Sequence, residues 1–355
     1  MDKHKKLDFR GQDIFIGMDI HKKSWTVSIL TNNFEHKTFN QPPEPLVLVR
    51  YLQRNFPGAN YHSVYEAGFC GFWIYDRLWE EGIQCMVVHA ADVPVTDKEK
   101  HRKTDKRDSR KLAKGLRSGQ LESLYVPPRW ALEDRSFVRV RAKIVKQQTR
   151  VKNQIKGFLH FYGITLPGRF INRVWSAAFI KWLENIKMDE SSGKMAIANY
   201  IDQLKYYLEK RKIINKQIKE LAHSERYEKR IECLTSIPGI GVISAMTWLT
   251  ELVDIHRFKK FDRLASYVGL IPREHSSGEK EIRSRLDSRG NHVLRTVLIE
   301  NSWVAVRKDP ALFQAYAELI KRMHGNKAII RIARKLLRRI RYVLINEAPY
   351  ATGVV

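Results

Sequence analysis

The alternation in the first quarter of the chain restricts the fold more than any other feature. "DIFIGMDIH" is a short apolar strand ending at Asp19. "SWTVSIL" (Ser24–Leu30) and "FEHKTFN" (Phe34–Asn40) follow it, with turn residues between them, as consecutive hairpin strands do. A helical stretch over Pro45–Asn55 precedes "YHSVYEAG", a strand ending near Glu66. A helix over Phe72–Glu81 and the strand "QCMVV" (Gln84–Val88) complete the run. Three strands, helix, strand, helix, strand describe a mixed α/β sheet, because each apolar face needs a layer to bury it.

The charged segment "TDKEKHRKTDKRDSR" leads into a helix near Thr104–Arg117, with Thr104 placed to cap it. Consecutive prolines in "VPPRW" (Val126–Trp130) mark a boundary. Beyond it, Leu132–Tyr162 reads as one long basic helix. Its apolar positions are Ile144, Val151, Ile155, Leu159 and Tyr162, interspersed with Arg139, Lys143, Lys146, Arg150 and Lys152. A second long helix covers about Ala196–His223, with Ile197, Ile201, Leu204, Leu208, Ile218 and Leu221 on a heptad-like stripe. Such a pair suits either a hairpin within one chain or a coiled coil joining protomers, and spacing alone does not separate them. The last third, from "LTSIPGIGVISAMTWL" to the basic "NKAIIRIARKLLRRIRYVLI", reads as a separate helical unit. The expected regions are 1–125, 126–225 and 226–355.

Lys and Arg total 64 against 38 acidic residues, a net charge of +26 on a chain that is 43% hydrophobic. That combination describes a folded protein with a polyanionic partner, since each phosphate neutralised releases counterions. There is no apolar run of ~20 residues and no signal-peptide pattern, so nucleic acid is favoured over a membrane surface. Cys70, Cys85 and Cys233 are scattered with no C-x-x-C pair, which suits a reducing compartment and excludes a cysteine-rich zinc site.

Four carboxylates stand out against this basic background. Asp19 and Glu66 end strands, and the i, i+3 spacing of "TDKRD" puts Asp105 and Asp108 on one helical face. The ends of neighbouring strands and the start of a helix laid across them can converge on one point. Two unit charges ~4 Å apart repel by about 4 kcal/mol at an effective dielectric of ~20, so such a cluster calls for protons or divalent cations. Mg2+ suits an all-oxygen site, and a pair of such ions can clamp both oxygens of a phosphodiester. Taken singly, a strand-end Asp is more often a turn residue, and Asp105 and Asp108 could balance nearby lysines. It is the order strand, strand, helix that favours a joint role.

"GMDIHK", "YEAG" and "KTDKRDSRKLA" resemble, in that order, the acidic motifs of the DEDD transposases of the "one-ten" insertion-sequence family, related to the Piv DNA invertases. "LTSIPGIGVISA", "LASYVGLIPREHSSG" and "RGNHVLR" resemble that family's second, transposase-specific domain. The resemblance implies an RNase H-like (RuvC-like) first domain, a long helical or coiled-coil middle and a helical C-terminal domain with a catalytic serine loop. Its D-E-D-D metal site falls on Asp19, Glu66, Asp105 and Asp108, and the catalytic serine before the glycine of its S-G motif falls on Ser277. It further implies a bacterial, cytoplasmic, nucleoid-associated recombinase using Mg2+, with Mn2+ as a substitute. Its partners would be donor and target double-stranded DNA and a structured bridge RNA that guides it. It would work as a homo-oligomer, a tetramer or dimer of dimers, in which acids and serine from different subunits can form a composite site. Where many relatives carry Thr/Ser-Lys before "G-N", this chain has Asp287-Ser288, which leaves the local phosphate contacts to Arg285, Arg289 and Arg295.

Read alone, "REHSSG" is a solvated polar turn in which Ser276 neighbours Ser277. "IPGIG" resembles a helix–hairpin–helix turn whose Gly239 and Gly241 would offer N–H groups to phosphate. Arg273, Lys280, Arg283, Arg285, Arg289, Asn291 and Arg295 complete the expected nucleic-acid contacts. Trp130, Trp175, Trp182, Trp248 and Trp303 are read as core. Two other functions fit the same residues: a metal-dependent junction-resolving nuclease in which the serine is idle, and a non-catalytic nucleic-acid-binding scaffold.

Overall fold

The structure is a computed structural model that describes residues 8–93, 104–171, 175–277, 280–286 and 290–351, with backbone alone over 272–286. The chain divides into two compact units, Met1–Val126 and Pro127–Val355.

The first unit is built on a five-stranded sheet: β1 (Asp13–Ile20), β2 (Trp25–Thr31), β3 (Glu35–Gln41), β4 (Asn60–Glu66) and β5 (Gln84–Val88). The spatial order is β3-β2-β1-β4-β5. β1–β2 and β2–β3 are antiparallel, whereas β1–β4 and β4–β5 are parallel, so the sheet is mixed. Helices α1 (Pro45–Asn55) and α2 (Trp73–Glu80) supply the crossovers that parallel neighbours need. Strand alternation sorts the side chains by face. Ile14, Ile16, Met18, Val27, Ile29 and Tyr65 bury against Leu48, Leu52, Ile74 and Leu78 of those two helices. The opposite face receives α3 (Asp105–Arg117), whose Leu112 packs with Val64 and Val88. Thr104 occupies the N-cap position of α3 with extended backbone but makes no side-chain capping bond.

The second unit opens with α4 (Arg129–Phe161), which starts directly after Pro128, a few residues earlier than its periodicity suggests. Proline favours such a position because its missing N–H has no helical partner there. After α5 (Ala177–Glu184), α6 (Ser191–Ala222) returns along α4. Val151, Ile155 and Leu159 share a core with Ile197, Ile201 and Leu204, so these stripes bury against each other within one chain. A larger core unites α7 (Glu228–Thr235), α8 (Val242–Leu252), α9 (Phe261–Val268), α10 (His292–Lys308), α11 (Pro310–Ile320) and α12 (Gly325–Asn346). At its centre lies α8, buried without interruption from Ala245 to Leu252, with Trp248 wholly enclosed. Trp303, by contrast, is 36% exposed. The helical C-terminal region also contains two strands that its loop-like composition conceals: β6 (Pro272–Ser277) and β7 (Lys280–Leu286), paired antiparallel.

Candidate active site

Asp19 and Glu66 sit at equivalent places on neighbouring strands. β1 and β4 run parallel with Met18 opposite Tyr65, so the next residue on each is an acid, at the carboxyl end. Both acids share the strand parity of Gly17 and Val64, the face that α3 covers.

Gly17 determines how closely α3 can approach. A Cβ there would lie 2.0 Å from the Ser109 carbonyl oxygen and 2.4 Å from the Ala113 nitrogen. The helix therefore rests its backbone directly on β1. Beside that contact Ser28, the β2 partner of Gly17, exchanges a 2.8 Å hydrogen bond with Ser109, hydroxyl to hydroxyl and fully buried. Farther along, Arg117 donates to the Thr31 carbonyl at 3.1 Å, near the opposite end of β1. The helix thus runs antiparallel to β1, and its first turn, with Asp105 and Asp108, comes down at the Asp19 end.

The geometry that results is a tight ionisable cluster. His21 Nε2 lies 3.3 Å from an Asp19 oxygen and 3.6 Å from an Asp105 oxygen. One ligand atom each from Asp19, His21 and Asp105 fall within 4.8 Å of one another. Burial raises the Asp19 carboxyl above its ordinary pKa, and the charges of Asp105 and Asp108 raise it further, while His21 pulls the other way. Asp108 is therefore near enough to act on Asp19 through space. Glu66 is placed by register on the adjoining strand end, outside the three-residue group. A half-buried carboxylate crowded by two others is the environment a divalent cation relieves, so the residues present fit such an ion. An imidazole among the donors is better suited to Mn2+ than to Mg2+, which prefers oxygen throughout.

His21 is the member that sequence reasoning missed. Its signal was its place two residues after Asp19 at a strand end, where period-two geometry aims both side chains to one face. Next to it, Lys22 Nζ stands 5.8 Å above the ring of Phe69, which is 63% exposed.

In the second unit, Ser277 is the last residue of β6, paired with Lys280 nearest the tip of the hairpin. Arg273 lies on β6, and Lys280, Arg283 and Arg285 lie on β7. Gly278 and Arg289 fall outside the described residues. Gly239 has a positive φ of 94°, and a Cβ on it would come within 2.6 Å of the Asn301 carbonyl of α10, so its missing side chain serves close packing. The Gly241 N–H donates to Ser244 Oγ at 3.1 Å at the start of α8. Asn291 caps α10, its Oδ1 accepting from the Val293 and Leu294 N–H groups, while its amide donates to Glu251 at 2.8 Å. Arg295 Nη1 donates to the Gly269 carbonyl at 3.3 Å. Sequence reading offered Gly239, Gly241, Asn291 and Arg295 to phosphate; the structure gives each of them a contact within the protein.

A mixed sheet with carboxylates at the ends of two neighbouring parallel strands and on a helix laid across them is consistent with an RNase H-like domain, here followed by a large helical unit. Comparison with known proteins makes the assignment specific. Residues 16–164 match the family model for DEDD transposases of the IS110 type, and residues 231–318 match that of the transposase IS116/IS110/IS902 family. The chain belongs to the IS110 family of DEDD transposases, and is a DNA transposase. It is 26% identical over 300 residues to the putative transposase y4qE of Sinorhizobium fredii, covering 83% of this chain and 72% of that one. It is 27% identical over 260 residues to the transposase for insertion sequence element IS1111A of Coxiella burnetii, with 72% and 70% covered. It is also 24% identical over 358 residues to the pilin gene-inverting protein of Moraxella lacunata, covering 94% and 96%. Among the described residues, no helix is long and apolar enough to cross a membrane.

Proposed function

We propose that this transposase cuts and rejoins DNA through a phosphoserine intermediate at Ser277, assisted by a divalent cation held by Asp19, Glu66, Asp105 and Asp108, and finds its sites with a structured guide RNA. The observation that carries the metal-assisted part is the Asp19–His21–Asp105 cluster at the carboxyl end of the central strand. When bound there, a divalent ion would lower the pKa of an attacking hydroxyl and offset charge on phosphoryl oxygens. Ser277 Oγ attacks a backbone phosphorus and gives up its proton. The new Oγ–P bond replaces the P–O3′ bond, and the departing 3′ oxygen takes a proton to leave as a hydroxyl. The 5′-phosphate stays esterified to the serine, so attack by another 3′-hydroxyl reverses the step and joins strands without ATP. Guidance by RNA is supported by the net charge of +26 and by the exposed Lys143, Lys146 and Arg150 on α4. A homotetramer would assemble the two ends and their targets.

The test is Ser277→Ala with donor DNA, target DNA and guide RNA in Mg2+ or Mn2+. Loss of both the covalent protein–DNA adduct and recombination is expected; recombination at the wild-type level removes Ser277 from the mechanism. A second reading draws on His21, whose ring lies 3.3 Å from Asp19 and could take a proton from water. It describes a hydrolytic junction-resolving nuclease and predicts cut ends with no adduct.

A further inference from the structure

Glu251 is 1% exposed, in the heart of the second unit, and the reaction just described gives it no role. A carboxylate so deep must be paired and hydrogen-bonded to stay charged. Its two oxygens accept a bidentate fork from Arg139, from Nε at 2.6 Å and Nη2 at 2.8 Å. Oε2 also accepts from the Asn291 amide at 2.8 Å. Arg135 Nε stands 3.9 Å from Oε2 and donates to the Thr250 carbonyl at 2.9 Å, while the Tyr267 hydroxyl donates to the Glu251 carbonyl at 3.2 Å.

The positions of Tyr267 and Asn291 give this network its meaning. Tyr267 lies in the last turn of α9, just before the chain leaves for the β6–β7 hairpin, and Asn291 caps α10 just after it returns. The two ends are fastened together. Asn291 N–H donates to the Tyr267 carbonyl at 2.7 Å, and a Cβ on Gly290 would lie 2.3 Å from Gly269 Cα. Both legs of the hairpin thus leave from one clamped root. Glu251 holds each leg, one through the Asn291 side chain and the other through the Tyr267 hydroxyl, and fixes both to α4 through Arg139.

We propose that Glu251, with Asn291, is a positioning pair that sets the root of the hairpin and so the place of the strand that carries Ser277. The inference rests on the reading of Ser277 as nucleophile. Glu251 touches no reacting atom. Its carboxylate adds direction where an apolar residue would add only packing. A buried ion pair seldom stabilises a core more than well-packed apolar side chains would, whereas three short directional bonds fix an angle. Small errors in the root are magnified along a hairpin several residues long.

The test isolates the tether from the fold. Asn291→Ser keeps a capping oxygen for α10 but loses the amide that reaches Glu251. Glu251→Gln keeps the shape of the side chain. The Asn291→Asp, Glu251→Gln double variant restores the link with donor and acceptor exchanged. The full-length protein is mixed with saturating donor DNA, guide RNA and metal, and adduct formation is followed in a single turnover alongside DNA affinity and melting temperature. Each single variant is expected to slow adduct formation at least about tenfold, with DNA affinity within about twofold, and the double variant to recover most of the rate. Adduct at the wild-type rate in both single variants overturns the inference alone. So does a loss of affinity in place of rate, which would make Asn291 a DNA contact. Failure of the double variant to recover, with loss tracking melting temperature, reduces Glu251 to a structural role. A wild-type protein that cleaves without any adduct overturns the serine reading, and this inference with it.

Discussion

Gly17→Ala tests the construction of the acidic site at its foundation. The added Cβ would lie 2.0 Å from the Ser109 carbonyl oxygen, 2.4 Å from the Ala113 nitrogen and 3.0 Å from the Ala113 Cβ. Two of these neighbours are backbone, so no rotamer change relieves the clash. To regain ordinary contact of about 3.5 Å, α3 must retreat by roughly 1.5 Å. The retreat strains or breaks the buried Ser28–Ser109 hydrogen bond and carries Asp105 away from Asp19 and His21. Overpacking of this kind costs about 1–3 kcal/mol, and an unmade buried hydrogen bond adds about 1 kcal/mol. A displacement near 1 Å among reacting groups lowers rates by about a hundredfold. Purified variant and wild type are compared by thermal denaturation, by calorimetric titration with Mn2+, and by cleavage of donor DNA. The expected outcome is a melting temperature several degrees lower, weaker metal binding and cleavage down by about two orders of magnitude. Gly157→Ala is the control: it lies inside α4 with nothing within 4 Å of a new Cβ, and should be neutral or stabilise by about 1 kcal/mol. If Gly17→Ala melts like wild type and cleaves at the same rate, the close approach of α3 does not govern the site.

Two further changes probe charge. Because burial and the neighbouring carboxylates raise the Asp19 pKa, the folded state binds that proton more tightly than the unfolded chain. Stability contributed by Asp19 therefore falls as pH rises from the ordinary carboxylate range through the raised value. In chelator at neutral pH, Asp19→Asn should melt higher than wild type, with the gain vanishing in acid, and should lose the stabilisation that added Mn2+ gives wild type; a lower melting point at neutral pH without metal contradicts this. Asp309, 2% exposed, caps α11 by accepting from Leu312 N–H at 3.0 Å and pairs with Arg339 at 2.5 Å. Asp309→Ala loses the cap and strands a mostly buried guanidinium, so denaturant titration should show a loss of about 3 kcal/mol or more, and a change below about 1 kcal/mol would refute the pairing as a stabilising element.

How much of this was legible beforehand depends on the range of the interaction involved. The helix over Pro45–Asn55 and the strand over Gln84–Val88 follow from spacing and turn residues a few positions away, and the structure places both at those bounds. By composition the serine loop is a polar turn, because Ser, Glu, Arg and Lys carry weak strand signals. Its β6–β7 pairing comes from two backbone segments lying side by side, which no alternation in "REHSSG" announces. The bond of the Asn291 amide to Glu251, forty positions away and buried, is a contact that no local pattern announces.

The sequence by itself determined the strands of the first unit, the long helices, the acids at the ends of their elements, the basic surplus and the family, since all of these are local patterns or linear motifs. The tertiary structure alone decided that Asp105 comes up to Asp19 and that His21 joins them. That meeting depends on α3 lying flat on β1, where a single missing Cβ at Gly17 lets two backbones touch. It also decided that Glu251 holds the serine hairpin by its root, because burial and the convergence of Arg139, Tyr267 and Asn291 exist only once the helices have packed. Short-range preferences write the elements. Close packing between elements far apart in sequence brings their chemistry to one place.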